Sequence, residues 1–436
     1  MSAIQAQAAR IALGAFGVRS RLVLVLLAGR AAFRMTAQLA PLLLALTWGP
    51  VRFGQYAGAV GLSGWTMFVA FSGEKAALKL LPRTTRLRVR VARVTLAVGA
   101  APMVCAAIAV TVGLALGAGS TVRLLLVAVL WSASVGFLQV VAALHRMRGA
   151  PLYDAGAFFG LAVAVGVTTL LTIWLGWSPL GQLTSVTATA VAVAVAMLLA
   201  LPRSSFQLGR PSLPVPPGRQ VGTSGHRIAY AVLRTCCLLG LPELLGALSV
   251  AVCYLALSVT GQQTQTGVFY VAAVLSGFCS AAVIYLLRLG QPQTSIRLRG
   301  PAAAVGRRQA RRVLGIAIGI SATCSVALTG LLLLRMEVPG PGWLLLAMLT
   351  VVEIPLFALV SYASYLLENT NGRALVVTSG AALAGVCAVG AAVTVLVPAI
   401  GAAGAMGSLV ISLGAVAGTM RCALSWHDRR RSALTP

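Results

Sequence analysis

Arg30, Arg34 and Gln38 fall at i, i+4 and i+8 inside the apolar run 22–48, so one stripe of a helix carries all three. Counted from Arg21 at the edge of that run, a rise of about 1.5 Å per residue sets Arg30 about 13 Å in and Arg34 about 20 Å in. The hydrocarbon layer of a bilayer is about 30 Å thick. A guanidinium facing lipid at such depth costs at least about 3 kcal/mol, so the stripe must face protein or water. Two planar forks one helical turn apart could hold a phosphate or pyrophosphate through paired, charge-assisted hydrogen bonds. Two carboxylates lie at similar depth: Glu243, directly after Pro242 in the run 235–260, and Glu353, between Trp343 and Pro355 in the run 343–367. An intramembrane carboxylate either carries a coupling ion or neutralises a buried arginine, and both readings stay open for Glu243 and Glu353. Arg30, Arg34 and Gln38 are thus the candidate substrate-binding residues, and Glu243 and Glu353 the candidate coupling or counter-ion residues.

Other polar residues carry less. Asp154 and Glu368 adjoin the turns before the runs 155–176 and 374–396 and read as capping or loop charges. His145, His226 and His427 are scattered over loops and run ends. The sequence has no HExxH, no phosphate-binding glycine loop, no nucleophile elbow and no acidic pair within one loop. It therefore offers no catalytic or metal constellation and implies no cofactor, and an enzyme is not expected. The eight cysteines, at 105, 236, 237, 253, 279, 324, 387 and 422, lie in or beside apolar runs without a CxxC pair. They read as small buried hydrophobes.

The elements that must position these groups are membrane spans. Hydrophobic residues make up 59% of the 436-residue chain and charged ones 9%, far below the roughly 25% charged of a soluble domain. Twelve runs approach or exceed the length of a crossing helix: 22–48, 55–73, 94–117, 122–145, 155–176 and 182–201, then 235–260, 265–287, 313–335, 343–367, 374–396 and 402–425. Between the sixth and seventh lies the polar, proline-rich stretch 202–227, which divides the chain into 1–201, a linker 202–227, and 228–436. Residues 1–20 lack a cleavable signal's short apolar core and read as a retained interfacial helix carrying Ile4, Ile11 and Phe16. Pro41 and Pro242 are expected to bend the first and seventh spans.

The net charge of +27 does not point to nucleic acid, because the basic residues sit in short connections and not on one face. Of 34 basic residues, 29 fall in alternate connections and at the two ends, including Lys75, Lys79, Arg83, Arg86, Arg88, Arg90 and Arg93 after the second span and Arg288 among seven after the eighth. By the positive-inside rule both termini and the linker are cytoplasmic. Only two of the basic residues are lysines, a bias that goes with a GC-rich bacterial genome and so with a bacterial cytoplasmic membrane. Sliding the chain on itself by 213 positions faces 53–64, FGQYAGAVGLSG, with 266–277, TGVFYVAAVLSG, and Arg30 with Glu243. Both halves have six spans and start on the same side, so the expected fold is an all-α membrane protein of two six-helix bundles related by a parallel pseudo-two-fold axis, with a cavity between them.

The stretches WGPVRFGQYAGAV (48–60), KAALKLLPR (75–83), TGVFYVAAVLSG (266–277) and PAIGAAGAMGSLVISLG (398–414) resemble the Wzx-like polysaccharide and O-antigen flippases of the multidrug/oligosaccharidyl-lipid/polysaccharide (MOP) exporter superfamily. The resemblance implies a cationic central cavity, alternating access and export of an undecaprenyl-pyrophosphate-linked glycan, with a glycan polymerase or glycosyltransferases as neighbours in the pathway. Arg30 and Arg34 are similar to that family's cavity cations, and the chain departs from the pattern by placing no further arginine inside spans two and eight. A drug/cation antiporter of the same superfamily would use Glu243 and Glu353, but a positive stripe repels cations. A membrane glycan polymerase would need a large outer loop or clustered acid and base groups, and the outer connections are only a few residues long.

Overall fold

The structure, a computed structural model, describes residues 3–84, 87–201, 225–298, 302–334, 341–370 and 374–432. Among these residues the regular structure is entirely helical: α1 (Ala3–Ser63), α2 (Trp65–Leu80), a 3-10 turn (Leu81–Arg83), α3 (Arg88–Ala115), α4 (Ser120–Met147), α5 (Leu152–Leu175), α6 (Pro179–Leu199), α7 (Gly225–Val259), α8 (Gln263–Arg297), α9 (Ala302–Leu334), α10 (Pro341–Asn369) and α11 (Ala374–Ser432).

Two of these helices are too long for one crossing, and both are broken. α1 turns at Gly49, whose φ of 73° and ψ of 170° are open essentially to glycine alone, and Pro50 restarts the helix with its fixed φ. The part after Gly49 continues through Gly64, which keeps helical angles, into α2 as the second crossing. α11 breaks at Ile400 and Gly401 and supplies the eleventh and twelfth. The expected bends at Pro41 and Pro242 are not breaks, since the backbone stays helical through both. A proline removes one ladder hydrogen bond without leaving the α region. The helix expected over residues 1–20 is no separate element either, because α1 runs unbroken from Ala3.

The apolar faces explain the layering. In the first bundle α4 is the inner helix, with every residue from Ser132 to His145 buried, packed against α2, α3 and α6, while α1 lies along α5. In the second bundle α7 lies along α11, and α10 packs on α9 and α11. Outward faces carry side chains such as Ile108, Leu170, Trp174 and Val326, all more than half exposed, as expected of surfaces wetted by lipid. The bundles meet along α2 against α7 and α1 against α8, two seams that the pseudo-two-fold exchanges. At Gly240 of α7 the seam is so close that a Cβ would stand 2.3 Å from the Cβ of Ser72.

The two ends of this seam differ in chemistry. At the end distant from the basic connections, Phe53 meets Tyr270 edge-on at 5.7 Å and Tyr254 meets Phe269 at 5.0 Å, and Phe53 and Ala57 share one apolar cluster with residues of α7, α8, α10 and α11. The other end, which carries the α2–α3, α4–α5 and α8–α9 connections, is closed by charge. It is called the basic end below.

Candidate functional site

A cavity of about 480 Å³ lies between the bundles. Arg30, Arg34 and Gln38 of α1, Glu243 of α7 and Glu353 of α10 all line it, so five residues from three helices share one space. Lys75 of α2 and Arg288 of α8 line it too. That corrects two expectations. Lys75 and Lys79 were assigned to the connection after span two and Arg288 to the one after span eight, but α2 runs on to Leu80 and α8 to Arg297, and all three side chains are buried. The eighth crossing thus does place an arginine, Arg288, at the cavity, while the second places a lysine, Lys75.

Eight charges, six of them buried and two, Arg146 and Glu243, half-buried, form one alternating ladder. Arg30 grips Asp154 with two hydrogen bonds, Nε to Oδ1 at 3.1 Å and Nη2 to Oδ2 at 3.2 Å, and donates a third from Nη1 to Gln139. Arg146 joins Asp154, 3.2 Å away, to Glu74 at 2.6 Å. Arg288 spans Glu74 at 2.7 Å and Glu243 at 3.0 Å. Lys75 lies 3.2 Å from Glu243 and 2.7 Å from Glu368. Beyond Glu368, Lys79 donates to the main-chain carbonyls of Glu368 and Thr370. Four cations and four carboxylates thus compensate one another, as buried charges must.

Asp154 and Glu368 are not caps or loop charges. Asp154 is fully buried because the start of α5 docks on α1 at Gly29, where a Cβ would come within 2.6 Å of the Ala155 carbonyl oxygen. Glu368 sits in the last turn of α10, facing α2. Glu243 is a counter-ion to Arg288 and Lys75, and not to Arg30 or Arg34. Glu74 escaped the sequence reading altogether. The available signal was a rare carboxylate beside Lys75, which the 213-residue slide places opposite Arg288.

Two of the charges that line the cavity, Arg34 and Glu353, remain outside the ladder. Arg34 makes no ion pair or hydrogen bond among the described residues, whereas Arg30, Lys75 and Arg288 each hold a carboxylate. Arg30 is further pinned between the rings of Phe158 and Tyr285, 4.5 and 4.6 Å from its guanidinium carbon. Glu353 accepts a hydrogen bond from Ser276 Oγ and has no cation within ion-pair distance among the described residues. Gln38, one turn beyond Arg34, has a buried amide oxygen without a partner. No group of three or more His, Cys, Asp or Glu side chains that could hold a metal occurs among the described residues.

No protein-family model and no curated protein matches the chain. Solved transporters share its fold. A MOP superfamily transporter from Pyrococcus furiosus, described as having a binding pocket of reversed polarity, matches with a TM-score of 0.54 at 15% identity, over 95% of this chain and 96% of its own. A variant of the Vibrio cholerae MATE transporter VcmN matches with a TM-score of 0.55 at 12% identity, over 94% and 98%. A chain called protein A gives 0.61 at 17%, over 94% and 95%. The protein is a multi-pass, all-α membrane protein with the twelve-crossing MOP transporter fold.

Proposed function

We propose that the protein is a Wzx-like flippase of the bacterial cytoplasmic membrane, which exports an anionic lipid-linked oligosaccharide, an undecaprenyl-pyrophosphate glycan, by alternating access of its two bundles, residues 1–201 and 228–436. The observation that carries this reading is Arg34. A half-buried guanidinium without a counter-charge is costly, and Arg34 lies in a cavity whose other arginines, Arg30 and Arg288, already have their carboxylates, so none of those is spare for it among the described residues. An anion supplied by the cargo removes that cost. Gln38 adds a polar group one turn away, and further polar side chains of the lining, among them Gln291, Ser361 and Tyr365, suit the sugars of a substrate whose anionic link is gripped while its isoprenoid stays in lipid. Arg30 is the lesser contributor, because its donors are committed to Asp154 and Gln139. Glycosyltransferases and a glycan polymerase would supply and consume the cargo, and the protein itself would leave it chemically unchanged.

Glu353 favours a second reading, a drug/cation antiporter of the same fold, because it offers a buried carboxylate with no cation at ion-pair distance among the described residues. One experiment separates the two: proteoliposomes holding wild-type, Arg34→Ala, Arg34→Lys or Glu353→Gln protein at equal folded amounts, assayed for flipping of a fluorescent undecaprenyl-pyrophosphate oligosaccharide and for efflux of a cationic dye. Flippase function predicts glycan movement that Arg34→Ala weakens by about 10- to 100-fold, corresponding to about 1.5–3 kcal/mol for hydrogen bonds to a charged group. Lysine restores it only in part, since an ammonium cannot form the fork. Wild-type flipping by Arg34→Ala would reject the role of Arg34. Dye efflux that is lost in Glu353→Gln would favour the antiporter.

A further inference from the structure

Opening the basic end means parting α2 from α7, α8 and α10, and the ladder fixes which charges that parting strands. Arg30, Arg146, Asp154 and Glu74 keep ion-pair partners inside the first bundle. Arg288 and Glu243 keep each other inside the second. Lys75 and Glu368 keep none of theirs. Both carboxylates that Lys75 touches lie across the seam, and Lys75 is the one ion-pair partner of Glu368 among the described residues.

We infer that Lys75 and Glu368 are the latch of the basic end, and that an anionic group in the cavity releases it by taking Lys75 from Glu368. Three observations carry this. Lys75 and Glu368 both line the cavity, so a ligand there can reach the pair. The ammonium ends a flexible four-carbon stem and offers three donors, so it can turn from carboxylate to phosphate without being left bare. The exchange replaces one anion by another, which avoids the penalty of breaking a buried pair by removing a partner. Glu368, in the last turn of α10, is then left at the mouth, where parting the helices admits water. The ladder thereby ties loading to opening: with no anion present, Lys75 adds its contacts with Glu243 and Glu368 to the Arg288–Glu74 pair that also crosses the seam.

The release step rests on the reading of the cargo as anionic, and the latch itself does not. The test uses full-length protein with the cavity-lining Ala247→Cys as a reporter. None of the seven described native cysteines lines the cavity, and the parent without the reporter gives the background. Labelling by a membrane-impermeant maleimide is timed from each face in inside-out and right-side-out vesicles. Neutralising the latch in Glu368→Gln is expected to raise labelling from the basic face by about tenfold or more, as for a minor state of 0.1–10% made dominant, and to leave the other face unchanged. Inorganic pyrophosphate is expected to raise labelling of the wild-type latch from the basic face beyond a sodium chloride control of equal ionic strength. Lys75→Arg should keep that response and Lys75→Gln abolish it. Unchanged labelling in Glu368→Gln overturns the latch, and a pyrophosphate response that is absent in the wild type, or that survives in Lys75→Gln, overturns anion release. If Lys75→Gln does not accumulate, Glu368→Gln still tests the latch, because Lys75 then keeps Glu243. Labelling that follows these expectations while the glycan is not flipped would remove the flippase reading and leave the latch standing.

Discussion

Arg30 and Arg34 occupy one stripe of one helix and meet opposite fates. Their depth was legible from spacing alone, because an arginine inside an apolar run has few places to go. Their partners were not, because Asp154 is 124 residues from Arg30 in the chain, and no local pattern announces which carboxylate a fold will deliver. The slide that faced Arg30 with Glu243 identified symmetry-related positions, which need not touch. The structural part of the ladder is open to direct test at Asp154. Asp154→Asn leaves Arg146 with Glu74 but takes from Arg30 its one carboxylate among the described residues, and removing one member of a buried pair costs about 3–5 kcal/mol. Thermal unfolding of the purified protein in detergent should show a marked loss of stability, and the double variant Arg30→Gln, Asp154→Asn should recover part of it. An Asp154→Asn protein as stable as the parent would mean that the pair contributes nothing to holding α1 on α5.

At the scale of helices, the apolar runs located the crossings, but their ends were misjudged where charge begins. Counting Lys75, Lys79 and Arg288 as loop residues made sense of their sign, and the same residues prove to be the buried last turns of α2 and the lower part of α8. A basic side chain near a membrane boundary satisfies the positive-inside rule whether it faces water or a carboxylate inside the protein, so that rule cannot separate the two. Asp154, Glu368 and Glu74 were the missing clue, three of only seven acidic residues placed beside this cationic rim. The break at Gly49 is likewise legible only in hindsight, as a glycine before Pro50. Close approach of α2 and α7 gives a prediction of its own. In Gly240→Ala the added methyl would meet Ser72, and overpacking of this kind costs about 1–3 kcal/mol. The melting temperature should fall, and adding Ser72→Gly, which removes the opposing Cβ, should restore most of it. A Gly240→Ala protein with an unchanged melting temperature would mean that the seam yields freely at this point.

For the whole molecule, hydrophobic runs and the placement of basic residues sufficed for an all-α fold of two six-crossing bundles, because in a bilayer the backbone must satisfy its own hydrogen bonds and helices are the simplest way. The orientation of that fold is a separate matter. With 29 of 34 basic residues on one side, reporter fusions after Arg227 and after Pro436 should both give the signal of the cytoplasm. An external signal from either would reverse or break the assignment of the basic end to the inner face.

The ladder also bears on how such a chain is assembled. During synthesis the first bundle is inserted before its partner exists, and at that stage Lys75 has no carboxylate to meet, since Glu243 and Glu368 lie further along the chain. Residues 1–201 made alone should therefore be an orphan that quality-control proteases clear, and residues 228–436 alone, with Glu368 unmatched, should fare no better. Co-expression of the two pieces should protect both, with a longer pulse-chase half-life for each. Glu368→Lys in the second piece should withdraw that protection, making the charge pairing a checkpoint in biogenesis as well as a seal in the finished protein.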